Sequence, residues 1–510
     1  MRKLIRLASQ RVVIVSLAIL LQIAFVLVTV FWLNEYRSWF AAAVTVLSWL
    51  AVLHILTRPS NPSYKIAWVV LVLAVPVAGF TIYLLFGGNR SSRRENRKMR
   101  QTRDLVEASL HRQPPLPEDL SRRQDAAWNH MRFLFNASGY PAYDNSSAVY
   151  YPSGEEAFAS MLEELRRAER YIFLEFFILD SGLMWDSVLE ILTQKAAEGV
   201  DVRVLYDDFG CIRRLPMRYA RMLAERGIRA HAFNPYLPVL SKRLNNRDHR
   251  KLMIIDGRAG FTGGVNLADE YINRTHPFGR WKDCAVLVRG EAVWSMTVMF
   301  LSLWDYVDGC NEPPECFRPD YAKTGLSPDG YIQPFADSPL DDVDVGAATF
   351  RNLISSARRS VYIMTPYLIL DDKMTDCLCN AAKTGVDVRI ITPGVPDKRY
   401  VHALTRANYE VLTGSGVRIF EYTPGFVHAK TCLADGCFAV VGTVNLDFRS
   451  LYLHFEDAVY FCDGSVPVQL GMDFEKTFSL CEEKTFADCR NVHLYQKITR
   501  MFLRLFAPLM

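Results

Sequence analysis

One motif, His-x-Lys-x-x-x-x-Asp, is written twice in this chain of 510 residues. Its members are His249, Lys251 and Asp256 in the first copy and His428, Lys430 and Asp435 in the second. The positions that follow also correspond, as Gly264 and Asn266 in the first copy and Thr443 and Asn445 in the second. Corresponding half-sites predict two related halves of one chain that close around a shared site.

These residue types suit the chemistry of phosphodiesters. A phosphodiester carries a negative charge that repels nucleophiles, so a catalyst without a metal needs cations, a nucleophile and an acid for the leaving oxygen. Alternate residues of a strand share a face, which directs the histidine and the lysine of each copy into one cleft. One imidazole can attack phosphorus while the other protonates the departing alcohol. We expect substrate contacts from the downstream residues Gly264, Asn266, Thr443 and Asn445.

Each copy taken alone also has a simpler interpretation. His-x-Lys on a strand is commonly a solvated or capped pair, and Asp256-Gly257 and Asp435-Gly436 are ordinary turn sequences between strands. Two copies with corresponding residues downstream make coincidence improbable, which favours the functional interpretation.

The duplication extends beyond the motifs and predicts the fold class. The run from Tyr171 to Asp180 parallels the run from Tyr362 to Asp371, and Gly-Val-Asp-Val-Arg occurs at 199–203 and again at 385–389. Apolar runs alternate with helical patterns in both halves. This alternation indicates α/β lobes whose mixed, largely parallel sheets are flanked by helices.

The paired motifs resemble those of the phospholipase D superfamily. Three strings are similar to bacterial cardiolipin synthases, namely His249 to Gly257, Gly263 to Tyr271 and Gly442 to Leu451. The resemblance covers nearly the whole chain and implies two tandem phospholipase D-like lobes, at residues 126–335 and 336–510. It also implies an activity: transfer of a phosphatidyl group from one phosphatidylglycerol to another, with release of glycerol, through a phosphohistidine intermediate. No metal or other cofactor is implied.

Catalytic roles follow from the resemblance position by position. It implies His249 as the nucleophile and His428 as the general acid and base, although it leaves open which imidazole attacks. Lys251 and Lys430 would hold the phosphate.

The acidic residues have less definite roles. Asp256 and Asp435 are motif members that would help to orient or balance the charged site. Glu175 and Glu456 stand at positions that are acidic in the family, where they would orient the imidazoles from behind. A solvent-facing strand carboxylate is the alternative for both glutamates.

Three apolar segments, 12–33, 39–56 and 66–86, predict a membrane anchor over residues 1–88 with two or three transmembrane helices. Basic residues before the first segment and after Phe86 favour a cytoplasmic N terminus and cytoplasmic catalytic lobes. That arrangement requires an even number of crossings, so one of the later two segments is expected to be re-entrant or interfacial. Eleven cysteines, with none before Cys211, suit a reducing compartment. We therefore expect a multi-pass protein of the bacterial inner membrane.

The remaining segments are expected to contact lipid or protein. The basic segment 89–125 is predicted to be a linker whose cations favour anionic membrane lipids. The insertion from Pro235 to Asn246 either enters the membrane or forms a lid. The amphipathic C-terminal run from Tyr495 to Met510 either lies on the membrane or caps the second lobe. The oligomeric state is left open.

Three other roles fit the same motifs. A phospholipase D that uses water as acceptor differs only in what reaches the phosphohistidine. A nuclease of the same superfamily is disfavoured, because the chain has an anchor and lacks the aromatic and basic repeats that stack nucleic acid. An inactive membrane scaffold is disfavoured because both motifs are intact.

Overall fold

The computed structural model of the protein describes residues 37–58, 62–75, 93–110, 116–123, 125–235, 246–309, 312–323, 325–340 and 343–507, with residues 20, 24, 79, 80 and 83 as single positions. The predicted span over 12–33 therefore lies almost wholly outside the described residues, as do residues 236–245 of the insertion. The two later apolar segments contain helices α1 (Arg37–Thr57) and α2 (Pro62–Ala74). No helix within the described ranges is both long and apolar enough to cross a membrane.

The basic segment 89–125 is largely helical and packs against the first lobe. It contains α3 (Arg93–Leu110) and α4 (Glu118–Arg123), and α5 (Ala126–Ser138) follows. Leu110 is fully buried, and the carbonyl of Ser109 accepts a hydrogen bond from Trp294 Nε1 at 3.3 Å. The predicted linker is thus more ordered than a flexible tether, because apolar residues between its charges are buried.

The first lobe is a seven-stranded sheet flanked by helices, with strand order β1-β9-β7-β6-β2-β3-β4. Its elements are β1 (Ser146–Tyr151), α6 (Gly154–Arg166), β2 (Tyr171–Phe176), α7 (Leu183–Ala197), β3 (Asp201–Asp207), α8 (Tyr219–Ala224), β4 (Arg229–Phe233), β5 (Arg247–Asp248), β6 (Lys251–Ile255), β7 (Ala259–Gly263), β8 (Arg280–Lys282), β9 (Ala285–Gly290) and α9 (Ala292–Asp308). Local sequence sets several boundaries. Ser153, for example, accepts the Glu156 amide hydrogen at 3.2 Å and so caps the start of α6.

The second lobe repeats this plan, with strand order β10-β17-β16-β15-β11-β12-β13-β18. Its elements are β10 (Tyr331–Asp337), α10 (Val345–Ser356), β11 (Ser360–Met364), α11 (Asp372–Lys383), β12 (Asp387–Pro393), α12 (Arg399–Gly414), β13 (Arg418–Tyr422), β14 (Gly425–Val427), β15 (Thr431–Ala434), β16 (Phe438–Gly442), α13 (Phe448–Tyr452), β17 (His454–Cys462), α14 (Ser465–Phe478), β18 (Cys481–Lys484), α15 (Phe486–Arg490) and α16 (Leu494–Phe506). Strand β5 of the first lobe adds to this sheet by pairing with β17.

Both sheets are mixed, as expected, but the expectation that they are largely parallel is wrong. Strands β2, β3 and β4 run parallel in the first lobe, as do β11, β12 and β13 in the second. The other neighbours along each main sheet pair antiparallel. Helices connect the parallel strands, which are β2 to β4 in the first lobe and β11 to β13 in the second. The motif strands β6 and β15 continue through short hairpins, which require antiparallel pairing.

One hydrophobic core extends across both lobes. Helix α9 is buried along most of its length and packs on β10 of the second lobe, while α14 packs on β1 of the first. The Asp473 carboxylate on α14 accepts hydrogen bonds from Tyr150 and Lys282, each at 2.6 Å. Because the lobes share their packing, their relative orientation is set by the core as a whole.

The C-terminal helix α16 has two unlike sides. Leu503 and Ala507 pack with Leu404 of the second lobe, so this side caps that lobe. The other side leaves large apolar side chains exposed, which are Leu494, Tyr495, Ile498, Met501 and Phe502. An exposed apolar stripe of this kind is suited to a membrane surface.

The two Asp-Gly sequences of the motifs form the turns of equivalent hairpins. Asp256 has φ 53° and Gly257 φ 65°, and Asp435 and Gly436 have φ 53° and 73°. Two successive residues with positive φ make a type I′ turn, whose twist suits a hairpin. The Asp256 carboxylate also accepts the amide hydrogens of Glu169, Arg170 and Tyr171, each at 2.8 Å. This ties the turn to the start of β2.

We expect Asp256→Ala to lower the free energy of unfolding by about 2–4 kcal/mol. Three amide donors lose their acceptor, and alanine is strained at positive φ. Asp256→Asn should cost less because asparagine tolerates this conformation and keeps one acceptor. Asp435→Ala should also cost less, since the equivalent bonds to Arg358 and Arg359 are solvent-exposed. Urea unfolding would measure all three. Equal stability of Asp256→Ala and the wild type would contradict the expectation.

Candidate active site

Two short parallel strand pairs bring the motif histidines together. Strand β5 pairs with β17 of the other lobe, and the amide of His249 donates to the Phe455 carbonyl at 2.9 Å. In the same way β14 pairs with β8, and the amide of His428 donates to the Lys282 carbonyl at 2.7 Å. Both imidazoles line a single cavity of about 990 Å³. Each half of the site is therefore hydrogen-bonded to the opposite lobe.

Each imidazole rests on a carboxylate that the other lobe supplies. His249 Nδ1 lies 2.8 Å from Glu456 Oε2, and His428 Nδ1 lies 2.8 Å from Asp283 Oδ2. All four side chains are buried. Because an ionised carboxylate can only accept, each Nδ1 carries the proton and each Nε2 keeps its lone pair. An imidazole with this tautomer can act as a nucleophile or as a proton acceptor.

Gly264 and Thr443 support these carboxylates, and their expected contact with substrate stays a prediction. A side chain at Gly264 would meet Asp283 Oδ1 at 1.8 Å, so glycine makes room for that carboxylate. The Thr443 hydroxyl lies 2.5 Å from Glu456 Oε2 and 3.0 Å from the Asp457 carbonyl. At this equivalent position, Gly264 leaves space for the Asp283 carboxylate, whereas Thr443 offers a hydrogen-bond donor to the Glu456 carboxylate.

The two lysines lie beneath the imidazoles. Lys251 and Lys430 are each about 1% exposed. Lys251 Nζ donates to the His249 carbonyl at 2.6 Å, and Lys430 Nζ donates to the His428 carbonyl. Lys430 Nζ also lies 2.8 Å from His428 Nδ1. No described carboxylate lies within 4 Å of either ammonium group. Two desolvated cations without ion pairs make the site ready for an anion.

Burial and mutual repulsion shift the pKa values of these groups. Burial, followed by the charge of Lys251, lowers the pKa of His249 well below its ordinary value. Burial and the charge of Lys430 lower the pKa of His428 to about 4. Burial also lowers the pKa of Lys251 to about 8 and that of Lys430 to about 7. The site therefore disfavours its own positive charges until an anion offsets them.

The two asparagines that follow the motifs both line the cavity but differ in their hydrogen bonds. The Asn266 side chain accepts the Ile178 amide hydrogen at 3.0 Å and donates to the Tyr271 hydroxyl at 2.8 Å. Asn445 Oδ1 is buried and has no hydrogen-bond partner among the described residues. Both residues line the cavity.

Asp256 and Asp435 lie outside the catalytic group, contrary to expectation. Each directly follows the last residue of its motif strand, whereas the histidine and lysine stand at the first residue of that strand or just before it. A strand rises about 3.3 Å per residue, which separates the aspartates from the imidazoles. Their carboxylates bind backbone amides at the hairpin turns.

Glu175 also has a different position from the one expected. It pairs with Leu252 across β2 and β6, so both side chains lie on the face of the sheet opposite Lys251. There its nearest cation is Arg250, at 3.8 Å. Burial and the charge of Asp248 raise the pKa of Glu175 well above its ordinary value. Glu175 thus belongs to a buried charge cluster behind the site.

Asp283 is the important residue that the sequence analysis missed. Ala285 pairs with Gly263 as Ala458 pairs with Gly442, which makes Asp283 the equivalent of Glu456. The strings Asp-Cys-Ala-Val at 283–286 and Glu-Asp-Ala-Val at 456–459 carry this correspondence. Pairing them through the duplication would have identified Asp283. The acidic residue was obscured because a longer segment separates it from its asparagine.

The cavity wall differs between the two imidazoles. His428 is enclosed by aromatic rings, with centroid distances of 5.3 Å to both Tyr271 and Trp281. His249 has a polar neighbour, since the His454 ring centroid lies 5.6 Å away. His249, His454 and Glu456 offer donor atoms within 4.8 Å of one another, an arrangement that can hold a metal ion. The two half-sites are thus similar in backbone and unlike in surroundings.

Two α/β lobes that share one pair of His-x-Lys half-sites define the chain as a phospholipase D-like enzyme. A family model described as "Cardiolipin synthase, PLD-like domain" matches residues 161–289 and 350–478. A model described as "Phospholipase_D-nuclease N-terminal" matches residues 46–88. The chain belongs to the cardiolipin synthase-like family of the phospholipase D superfamily.

Individual relatives agree with this assignment. The chain is 39% identical to an uncharacterized protein of Streptococcus mutans, over 90% of this chain and 99% of that one. It is 33% identical to a cardiolipin synthase of Alkalihalophilus pseudofirmus, over 93% of this chain and 95% of the relative. A crystal structure of phosphatidylserine synthase from Haemophilus influenzae has a TM-score of 0.54 at 15% identity, covering 75% of this chain and 97% of that one. The last similarity concerns the fold.

We expect Lys430→Met to stabilise the ligand-free protein by about 1–3 kcal/mol at pH 6, because it removes a buried unpaired cation. The unfolded chain keeps this proton up to the ordinary pKa of 10.5, whereas the folded protein releases it near pH 7. The cost of the lysine is therefore largest below pH 7 and fades as the pH rises. Urea unfolding in detergent from pH 6 to pH 9 would measure the difference. Lys398→Met, at a side chain 52% exposed, is the control. A difference that did not vary with pH would contradict the expectation.

Proposed function

We propose that the protein is a cardiolipin synthase, which transfers a phosphatidyl group from one phosphatidylglycerol to the terminal hydroxyl of another and releases glycerol. The observation that carries the proposal is the single cavity shared by His249 and His428, each backed by a carboxylate of the opposite lobe. The relatives named as cardiolipin synthases support the choice of substrate. Phosphatidylglycerol and other anionic membrane lipids are the proposed partners, with no nucleic acid and no cofactor.

The first half of the reaction forms a phosphohistidine. His249 Nε2 attacks the phosphorus of the donor lipid, and the bond from phosphorus to the glycerol oxygen breaks. His428, which takes up a proton at Nε2 when the anionic donor lipid binds, gives that proton to the leaving oxygen, so that neutral glycerol leaves. Glu456 stabilises the positive charge that develops on the His249 ring, to which it is hydrogen-bonded at 2.8 Å. The phosphate charge, placed near Lys251 and Lys430, raises the depressed pKa of His428 and allows it to act as an acid.

The second half reverses these roles. His428, now neutral, takes the proton of the acceptor hydroxyl, and the resulting oxygen attacks phosphorus. The bond from phosphorus to His249 breaks, which releases cardiolipin and restores both imidazoles. Asp283 keeps His428 in one orientation throughout, because their hydrogen bond of 2.8 Å involves Nδ1 and leaves Nε2 free.

We also propose that the enzyme works at the bacterial inner membrane, with its lobes on the cytoplasmic side. The exposed apolar side chains of α16 support a membrane contact, since a soluble surface rarely leaves so many uncovered. The match of residues 46–88 to the N-terminal family model supports an anchor in the same region. None of the ten cysteines among the described residues forms a disulfide, which agrees with a reducing compartment.

We expect His249→Ala and His428→Ala each to lower cardiolipin formation by at least about a thousandfold, since neither imidazole can play both roles. Purified full-length protein, incubated with phosphatidylglycerol vesicles, should yield cardiolipin and glycerol by mass spectrometry. Phosphatidic acid as the main product would instead indicate a hydrolase. His231→Ala, on β4 beside Asp308, is the matched control.

Rapid quench into an alkaline denaturant, which preserves the acid-labile P–N bond of a phosphohistidine, should identify the nucleophile. With labelled donor lipid, His428→Ala is expected to retain a slowly formed phosphoenzyme, whereas His249→Ala should form none. Label on His249→Ala and none on His428→Ala would reverse the assigned roles. Substantial turnover by either variant would contradict a shared site.

We expect activity to survive complete removal of divalent cations. Lys251 and Lys430 already supply positive charge beneath the reacting phosphate, so a metal is not needed there. Dialysis against a chelator, followed by assay with phosphatidylglycerol vesicles, should leave the rate within about twofold. Loss of activity that added Zn²⁺ or Mg²⁺ restores would contradict this, and would direct attention to the donor atoms of His249, His454 and Glu456.

A further inference from the structure

One cation on the cavity wall has no part in the chemistry described so far. Arg449 lies on α13 and lines the cavity beside His249. Its Nε donates to His454 Nε2 at 3.3 Å. Among the described residues no carboxylate lies within ion-pair distance of its guanidinium group. Burial lowers the pKa of Arg449, and the charge of Asp447 on the same cavity wall opposes this shift. A desolvated guanidinium group in this state is suited to an anionic ligand.

The equivalent position in the first lobe carries the opposite charge. Arg449 stands four residues after Asn445, and Glu270 stands four residues after Asn266. Glu270 is already neutralised by Arg214, at 2.8 Å, and Arg214 also contacts Asp180 at 2.7 Å. The two sides of the cavity are therefore electrostatically unlike. Only the side of His249 and His454 has an arginine at this position.

Arg449 is separated from the reacting centre by one aromatic ring. The His454 ring is hydrogen-bonded to Arg449 at one nitrogen, and its centroid lies 5.6 Å from that of the His249 ring, with the two rings tilted at 43°. The phosphate under attack is placed at His249 Nε2, near the two buried lysines. A guanidinium group one ring further out is better placed for a second phosphate. In phosphatidylglycerol a three-carbon glycerol separates the attacking hydroxyl from such a phosphate.

We propose that Arg449 binds the phosphate of the acceptor phospholipid and so selects an anionic lipid, in preference to water or a neutral alcohol, as the second substrate. This inference rests on the proposed transferase function. No bond is made or broken at Arg449. Its two terminal nitrogens donate hydrogen bonds to the acceptor phosphodiester, and the glycerol hydroxyl of that lipid is thereby held at the phosphohistidine.

A positioning role makes a different prediction. Arg449 holds His454, whose Nδ1 lies 3.7 Å from Glu456 Oε1, and Glu456 in turn supports His249. If Arg449 acted only through this chain, its loss would slow formation of the phosphohistidine. All products would then decline together, whichever acceptor was present.

The test measures how the phosphohistidine is divided between acceptors. Full-length wild-type protein and Arg449→Gln are incubated with phosphatidylglycerol vesicles and a fixed concentration of ethanol. Cardiolipin, phosphatidylethanol and phosphatidic acid are then quantified by mass spectrometry. We expect Arg449→Gln to lower cardiolipin formation at least about tenfold, as for loss of a charge-assisted hydrogen bond, while the other two products change by less than about threefold. Arg449→Lys should restore part of the cardiolipin.

Two controls keep the test decisive. Arg418→Gln removes an arginine of the same lobe that forms an exposed ion pair with Glu483, and it should leave the product ratio unchanged. The wild type is also assayed with isotope-labelled glycerol phosphate and isotope-labelled glycerol as soluble acceptors, so that transfer to glycerol is distinguished from the donor lipid, and the phosphorylated acceptor should be preferred. This second measurement does not depend on the folding of a variant.

Several outcomes would overturn the inference. A parallel decline of all three products would assign Arg449 to the positioning chain, and an unchanged ratio would remove it from acceptor binding. Equal use of glycerol and glycerol phosphate as acceptors would also contradict a binding site for the acceptor phosphate. If the wild type formed phosphatidylethanol but no cardiolipin, the proposed transferase function would fail together with this inference.

Discussion

The active site depends on an exchange of carboxylates between the lobes. His249 is supported by Glu456 and His428 by Asp283, each through a hydrogen bond of 2.8 Å to Nδ1. Neither lobe contains a complete supported imidazole by itself. The exchange requires the parallel strand pairs β5–β17 and β14–β8. They align His249 with the strand that contains Glu456, and His428 with the strand that directly precedes Asp283. Shared packing of α9 and α14 holds that alignment. The catalytic pair of histidines therefore requires both lobes of the duplicated fold.

Burial makes the same arrangement responsive to substrate. Lys251 and Lys430 are desolvated without ion pairs, and their charges, together with burial, depress the pKa values of both histidines. Such a site is electrostatically unfavourable when it is empty. A bound phosphodiester adds negative charge beside the two ammonium groups, which Glu456 and Asp283 offset only in part. Two buried ammonium groups can therefore replace a metal ion, at the expense of stability in the ligand-free protein.

The duplication predicted the two lobes, the mixed sheets and the family, because these depend on long repeated strings. The sequence pattern gave wrong predictions where the pairing of strands in the sheet, rather than the local sequence, decides the position of a residue. Apolar strands in series suggested largely parallel sheets, yet the hairpins at Asp256 and Asp435 impose antiparallel order. The same aspartates looked like members of the charged site, although their distance along the strand separates them from it. Glu175 faces the wrong side because alternation on β2 is fixed by its register with β6. Only the strand pairing within each sheet distinguishes these cases.

Two copies of one scaffold can perform different chemical tasks because the side chains around them have diverged. His454 and Trp281 occupy equivalent positions, two residues before the supporting carboxylates Glu456 and Asp283. Trp281 packs beside His428, with ring centroids 5.3 Å apart. His454 lies beside His249 instead and is hydrogen-bonded to Arg449. Polar groups near His249 would stabilise the positive charge of a phosphohistidine. The two motifs have the same sequence pattern, and the different proposed roles of His249 and His428 follow from the different residues around them.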